Sequence, residues 1–75
     1  MEKAREQELL TQLGERLRKL RTAKGLTLEQ LAYEAEIELS QVYRIEKGKI
    51  NPKYTTLQTL ASALEIDIAH FLKGL

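Results

Sequence analysis

The sequence predicts an all-α fold, five short helices packed around one core. Three observations predict it. Apolar side chains recur at three- and four-residue steps through most of the chain, as they do on one face of a helix. One proline, four glycines and many Leu, Ala, Glu, Lys and Gln favour helix over strand. Residues that start and stop helices fall between the apolar stripes. At 75 residues the chain has room for one domain and no second core.

In the first helix, Leu9, Leu10, Leu13, Leu17 and Leu20 form the apolar stripe, with Arg and Lys opposite. Residues 1–8 either extend that helix or fray. Gly25 stops it, because glycine takes a left-handed position after a helix without strain. Thr27-Leu28-Glu29-Gln30 has the pattern of a capping box and opens a second helix that buries Leu28, Leu31, Ala32 and Ala35. A third helix is expected over about 39–47, with Val42 and Ile45 inward and Gly48 ending it. Asn51-Pro52 marks the next turn. The fourth helix, about 55–64, buries Leu57, Leu60, Ala61 and Leu64. Asp67 caps a short fifth helix that carries Ile68, Phe71 and Leu72.

Composition excludes several functions. Without cysteine there is neither disulfide nor thiolate chemistry, and a lone His70 cannot build a metal site. No apolar run is long enough to span a membrane and the start MEKAREQELL is charged, which points to the cytoplasm. One His, one Asp and no glycine-rich phosphate loop leave no nucleophile–base arrangement, so no enzyme and no cofactor are expected. The net charge of +1 is uninformative, but its distribution is not. Basic segments at 1–25 and 47–53 flank an acidic one at 26–46, a hint of an anionic partner touched at more than one place.

The segment 28–45 carries the functional signal. Two short helices joined by a tight turn suit a helix-turn-helix, in which the first braces the second. Ala32 fits where a larger side chain would collide with the second helix, and Leu31, Ala35, Ile37, Val42 and Ile45 supply the shared core. These residues alone fit an ordinary helical hairpin as well.

The chain resembles the Cro/repressor-type (XRE-like) helix-turn-helix family over about residues 13–72. The resemblance lies in Arg16-Leu17-Arg18-Lys19-Leu20-Arg21 before Lys24-Gly25-Leu26-Thr27, in Glu29-Gln30-Leu31-Ala32, and in Arg44-Ile45-Glu46-Lys47-Gly48-Lys49 before Asn51-Pro52. It resumes with Leu57, Leu60-Ala61, Ala63-Leu64 and the helix led by Asp67. It implies a five-helix, lambda-repressor-like DNA-binding domain with the helix-turn-helix at helices 2 and 3. The implied function is transcriptional regulation through double-stranded DNA. The chain is similar in this respect to short phage repressors and to controller proteins of restriction–modification systems. With no sensor domain or small-molecule pocket evident, control would run through concentration and dimerisation.

By the family's register, base edges would be met by Leu39, Ser40, Tyr43 and Arg44. Arg44 has the fork that suits guanine O6 and N7; its bland alternative is a solvated arginine paired with a glutamate. Leu39 suits a thymine methyl or is an inconsequential exposed leucine. Tyr43 either reaches the backbone or lies over the helix 2–3 junction. Phosphate contact would fall to Thr27, Gln41, Lys47, Lys49 and Lys53 and to the start of helix 2, with a solvated loop as the rival for the lysines. Arg21 and Glu46 match a family ion pair that ties helix 1 to the end of helix 3, a structural role.

Two positions depart from the family pattern. Glu36 stands where glycine is usual, and Glu38 where Ser or Thr commonly caps helix 3. With Glu34, they would set negative charge near a passing DNA backbone, either weakening binding or reading a cytosine amino group. The rival function is a protein-interaction module, antitoxin-like or an assembly partner. Leu9, Leu10, Ile68, Phe71, Leu72 and Leu75 would then line its partner surface. The same residues, Ile68, Phe71 and Leu72 above all, serve a homodimer that reads two half-sites.

Overall fold

The computed structural model describes residues 2–75. Five helices follow in order: α1 (Lys3–Ala23), α2 (Leu28–Ala35), α3 (Leu39–Glu46), α4 (Tyr54–Ala63) and α5 (Ile68–Phe71). Among the described residues there is no strand. α1 begins at Lys3, so residues 3–8 extend the first helix, while Met1 lies outside the described residues.

The helix starts follow local chemistry. At α2 the Thr27 hydroxyl accepts from the Gln30 N–H at 3.0 Å and the Gln30 amide oxygen accepts from the Thr27 N–H at 2.8 Å. This is the reciprocal cap expected of the T-x-x-Q pattern. The Asp67 carboxylate accepts from the His70 N–H at 2.7 Å and opens α5. Glu38 precedes α3 in extended geometry, but its side chain makes no capping bond.

The first four helices end alike. Gly25, Glu36, Gly48 and Glu65 each have positive φ. The N–H of the following residue then bonds back five positions, from Leu26 to Arg21, Ile37 to Ala32, Lys49 to Arg44 and Ile66 to Ala61. This left-handed stop satisfies carbonyls that the helix leaves without partners. Leu26, Ile37 and Ile66, just past the stop, fold back as half-buried residues against the core.

The core comprises Leu17, Leu31, Ala32, Ala35, Val42, Ile45, Leu60, Ala61, Leu64 and Phe71. Leu28, Ile37 and Leu57, expected inside, are only half-buried at its margin. A more consequential correction concerns Phe71. It is fully enclosed in its own domain, the largest such side chain, and offers no surface to a second copy. The short α5 folds inward on α1 and α4, which is why it buries its aromatic rather than presenting it. Ile68 and Leu72 stay half-buried and Leu75 is exposed.

Gly14, unremarked in the sequence reading, sets the packing of α1 on α3. A Cβ there would lie 2.5 Å from the Ile45 carbonyl oxygen and closer still to that of Glu46. α1 can cross the last turn of α3 only because this position has no side chain.

A candidate nucleic-acid interface

α3 is an amphipathic helix with two separate tasks. Val42 and Ile45 are buried, while Leu39, Ser40, Tyr43 and Arg44 are exposed. Helical spacing places Ser40, Tyr43, Arg44 and Lys47 along one outward strip. Leu39 is 43% exposed and Tyr43 49%, large side chains on a face the core does not use. The Lys47 ammonium stands 5.7 Å from the centre of the Tyr43 ring, a cation–π distance that orients both. Among the described residues Arg44 makes no ion pair, so its fork is uncommitted. Gln41 lies at the half-buried margin of the strip.

The face is held at both ends. On one side α2 packs against α3 through Ala32 and its neighbours. On the other, Arg21 reaches from the last turn of α1 to the last residue of α3. Its Nε donates to one Glu46 oxygen at 2.6 Å and its Nη2 to the other at 3.1 Å, while Nη1 donates to the Leu26 carbonyl at 2.8 Å. One guanidinium therefore joins α1, the α1–α2 turn and α3. The two side chains are 12% and 6% exposed, so each charge depends on the other. The hydrogen bond to Glu46 raises the Arg21 pKa above its usual value, against the opposing effect of burial. That guanidinium stays charged at any pH at which the protein works.

Lys47, Lys49 and Lys53 are exposed in and after the turn that closes α3. Lys47 is the C-cap of α3 and Lys53 the N-cap residue of α4, so the basic turn bridges two helix ends. Thr27 is exposed at the start of α2; its hydroxyl oxygen is engaged in the cap, which leaves its proton free to donate.

Glu34 and Glu36 line an open groove of about 830 Å³ with Lys24, Leu26 and the C-terminal half of α4, to which α3 contributes no residue. There Lys24 also pairs with Glu65 and holds that carboxyl below the usual carboxylate range. Glu36 sits in the left-handed region at φ 56°, the conformation a glycine would supply. Glu38 directly precedes α3, where the helix N-terminus offsets its charge.

Two polar anchors carried no signal that periodicity detects. Arg16 donates to the carbonyls of Phe71 at 2.9 Å and His70 at 2.5 Å, holding the end of α5 against α1. Gln7 donates to the Gly48 carbonyl at 3.1 Å across 41 residues of sequence. Among the described residues no group of His, Cys, Asp and Glu side chains gathers as metal ligands do, and no helix is long and apolar enough to cross a membrane.

A braced pair, α2 and α3, with one outward polar face and a basic turn behind it, is the layout of a helix-turn-helix. The family model described as a helix-turn-helix domain matches residues 12–71. The chain belongs to the XRE-like helix-turn-helix family. Over 62 residues it is 42% identical to the HTH-type transcriptional regulator DdrOP3 of Deinococcus deserti, a match covering 83% of this chain and 48% of that protein. Over 57 residues it is 35% identical to the immunity repressor protein of Bacillus phage phi105, covering 76% of this chain and 40% of the repressor. The chain thus matches about half or less of the length of these curated relatives. Among solved structures, the restriction-modification controller protein C.AhdI from Aeromonas hydrophila is 40% identical with a TM-score of 0.82. That match covers 84% of this chain and 96% of the controller. In helix-turn-helix terms, α2 is the bracing helix and α3 the recognition helix.

Proposed function

We propose that this protein is a sequence-specific transcriptional regulator that lays α3 in the major groove of double-stranded DNA. The observation that carries the reading is the division of α3. One side is locked to the core and to Arg21, and the other presents Leu39, Ser40, Tyr43 and Arg44 to solvent. Rigid placement of a few hydrogen-bonding and apolar side chains is what discrimination between base edges requires. Arg44 reads guanine, Leu39 packs on a thymine methyl, and Ser40 and Tyr43 complete the contact. Thr27, Gln41, Lys47, Lys49 and Lys53 meet the phosphates on either side.

Regulators and a controller protein among the similar chains support this class of function. One such domain reads a half-site, so the protein acts as a homodimer on a two-fold operator in the cytoplasm, associated with the nucleoid. Ile68 and Leu72 remain available to such an interface; Phe71 does not. The 1–75 stretch is the DNA-binding unit.

Fluorescence anisotropy against mixed-sequence duplex tests the reading. Affinity is expected to fall steeply between about 50 and about 200 mM salt, and to collapse in an Arg44→Ala, Lys47→Ala, Lys49→Ala variant. No binding at low salt, or association that ignores salt, would overturn it in favour of a protein-interaction module.

A further inference from the structure

The first two and a half turns of α1 lie ahead of the stretch that the family model matches, which begins at residue 12. They nonetheless touch the turn that carries two of the proposed phosphate ligands. Gln7 Nε2 donates both to the Thr11 hydroxyl, at 3.1 Å, and to the Gly48 carbonyl, at 3.1 Å. Gly48 is buried, and among the described residues no backbone N–H is bonded to its carbonyl. Gln7 supplies the partner that a buried carbonyl needs. Glycine also gives the contact its room, since a Cβ at Gly48 would stand 3.2 Å from Gln7 Nε2 and from the Cα and Oγ1 of Thr11, and these would have to shift by a few tenths of an ångström. The left-handed backbone of Gly48, at φ 69°, lies between Lys47 and Lys49. Its carbonyl belongs to the peptide that leads into Lys49, whose own N–H is bonded to Arg44 at 2.8 Å. Both sides of that peptide plane are therefore held, one by α3 and one by α1.

We infer that the N-terminal extension of α1 is a strut, and that Gln7 is a positioning residue that fixes the Lys47–Lys49 turn for contact with DNA phosphates. The inference rests on the DNA-binding reading above. Gln7 touches no DNA itself. It orients the Gly48–Lys49 peptide, and so the directions in which the two lysines leave the turn. Without the bond the turn keeps its glycine and its helix stop but gains freedom about that peptide. The lysines then lose part of their preorganisation.

Gln7→Met tests this, because methionine keeps the length and helix propensity of glutamine and removes the donor. The variant, the wild type, Lys47→Ala/Lys49→Ala and the combined triple variant are titrated with mixed-sequence duplex across a salt series, and thermal unfolding is followed in parallel. The expected result is an affinity loss of about fivefold for Gln7→Met, the scale of one hydrogen bond. With it, the slope of log affinity against log salt falls by about one to two, the signature of lost phosphate contacts. In the background that lacks both lysines, Gln7→Met changes neither affinity nor slope. Unchanged binding by Gln7→Met overturns the inference. So does an affinity loss that keeps the wild-type slope, or one that persists in the lysine-free background, since both mean that Gln7 only stabilises the fold. A wild type without salt-dependent binding overturns the DNA reading itself and the strut with it, an outcome distinct from the others.

Discussion

Glu36 and Glu65 hold backbone conformations that suit glycine, and both do so at the end of a helix. The left-handed region costs a residue with a Cβ about 1–2 kcal/mol. What offsets it is the bond from the next N–H and the half-buried isoleucine that follows, Ile37 or Ile66. Glycine at position 36 relieves that strain but adds about 0.5–1 kcal/mol of entropy to the unfolded chain. Glu36→Gly is therefore expected to stabilise by up to about 1 kcal/mol, which in a domain of this size corresponds to roughly 4–8 °C in Tm. A lowered Tm would mean that the glutamate contributes something besides strain. Gly14 gives the opposite case. Alanine is favoured over glycine within a helix by about 1 kcal/mol, but forcing a methyl group against two backbone carbonyls costs up to about 3 kcal/mol. Gly14→Ala should thus lose up to about 2 kcal/mol net, and a more stable variant would show that α1 can shift away from α3.

At the scale of elements, the Arg21–Glu46 fork decides how firmly α3 is held. Removing one partner strands a nearly buried charge at a cost of about 3–5 kcal/mol, more than the intact pair contributes over an apolar replacement. Chemical denaturation should show Arg21→Met and Glu46→Leu each destabilised on that scale, and the double variant much less than the sum. Additive losses would contradict the account of a mutually dependent pair. Because the hydrogen bond to Glu46 leaves Arg21 with a raised pKa despite burial, its share of stability is fully present below the unfolded value and is lost only in strong alkali. Titration of this guanidinium does not modulate DNA binding near neutrality. The same fork explains why the braced pair was legible from residue identity. The capping box at Thr27 and Gln30, the stop at Gly25 and the apolar spacing of α3 are local signals, and each produced the element it announced. What local signals do not carry is the approach of two distant segments. Gly14 against Ile45, Gln7 against Gly48 and Arg16 against the end of α5 join residues 31 to 55 apart, and nothing in a periodic pattern reports them. A glycine in mid-helix was the one available sign, since it costs stability unless packing requires it.

For the whole molecule, a radius of gyration of 11.5 Å is close to the value of about 11 Å for a compact chain of this length. The helix that carries the exposed face, α3, packs on α1 and α2, and its precision depends on the brace, the fork and the α1 crossing together. The placement of charge follows from the same compactness. Glu34 and Glu36, close to α3 along the chain, line a groove beside α4 with Lys24. Phe71 shows what the fold adds: a terminal aromatic reads as surface until α5 is seen to fold back over α1.

The central claim is that the outward strip of α3 reads base edges. It is tested most directly by selecting bound duplexes from a random-sequence pool with the wild type and with Arg44→Ala. The wild type is expected to enrich a two-fold site, and Arg44→Ala to lose discrimination at one symmetry-related guanine position while keeping the rest of the motif, a change of about 1–3 kcal/mol at that base pair. An unchanged motif bound more weakly by Arg44→Ala would make Arg44 a phosphate ligand, and no enrichment by the wild type would contradict base reading by α3.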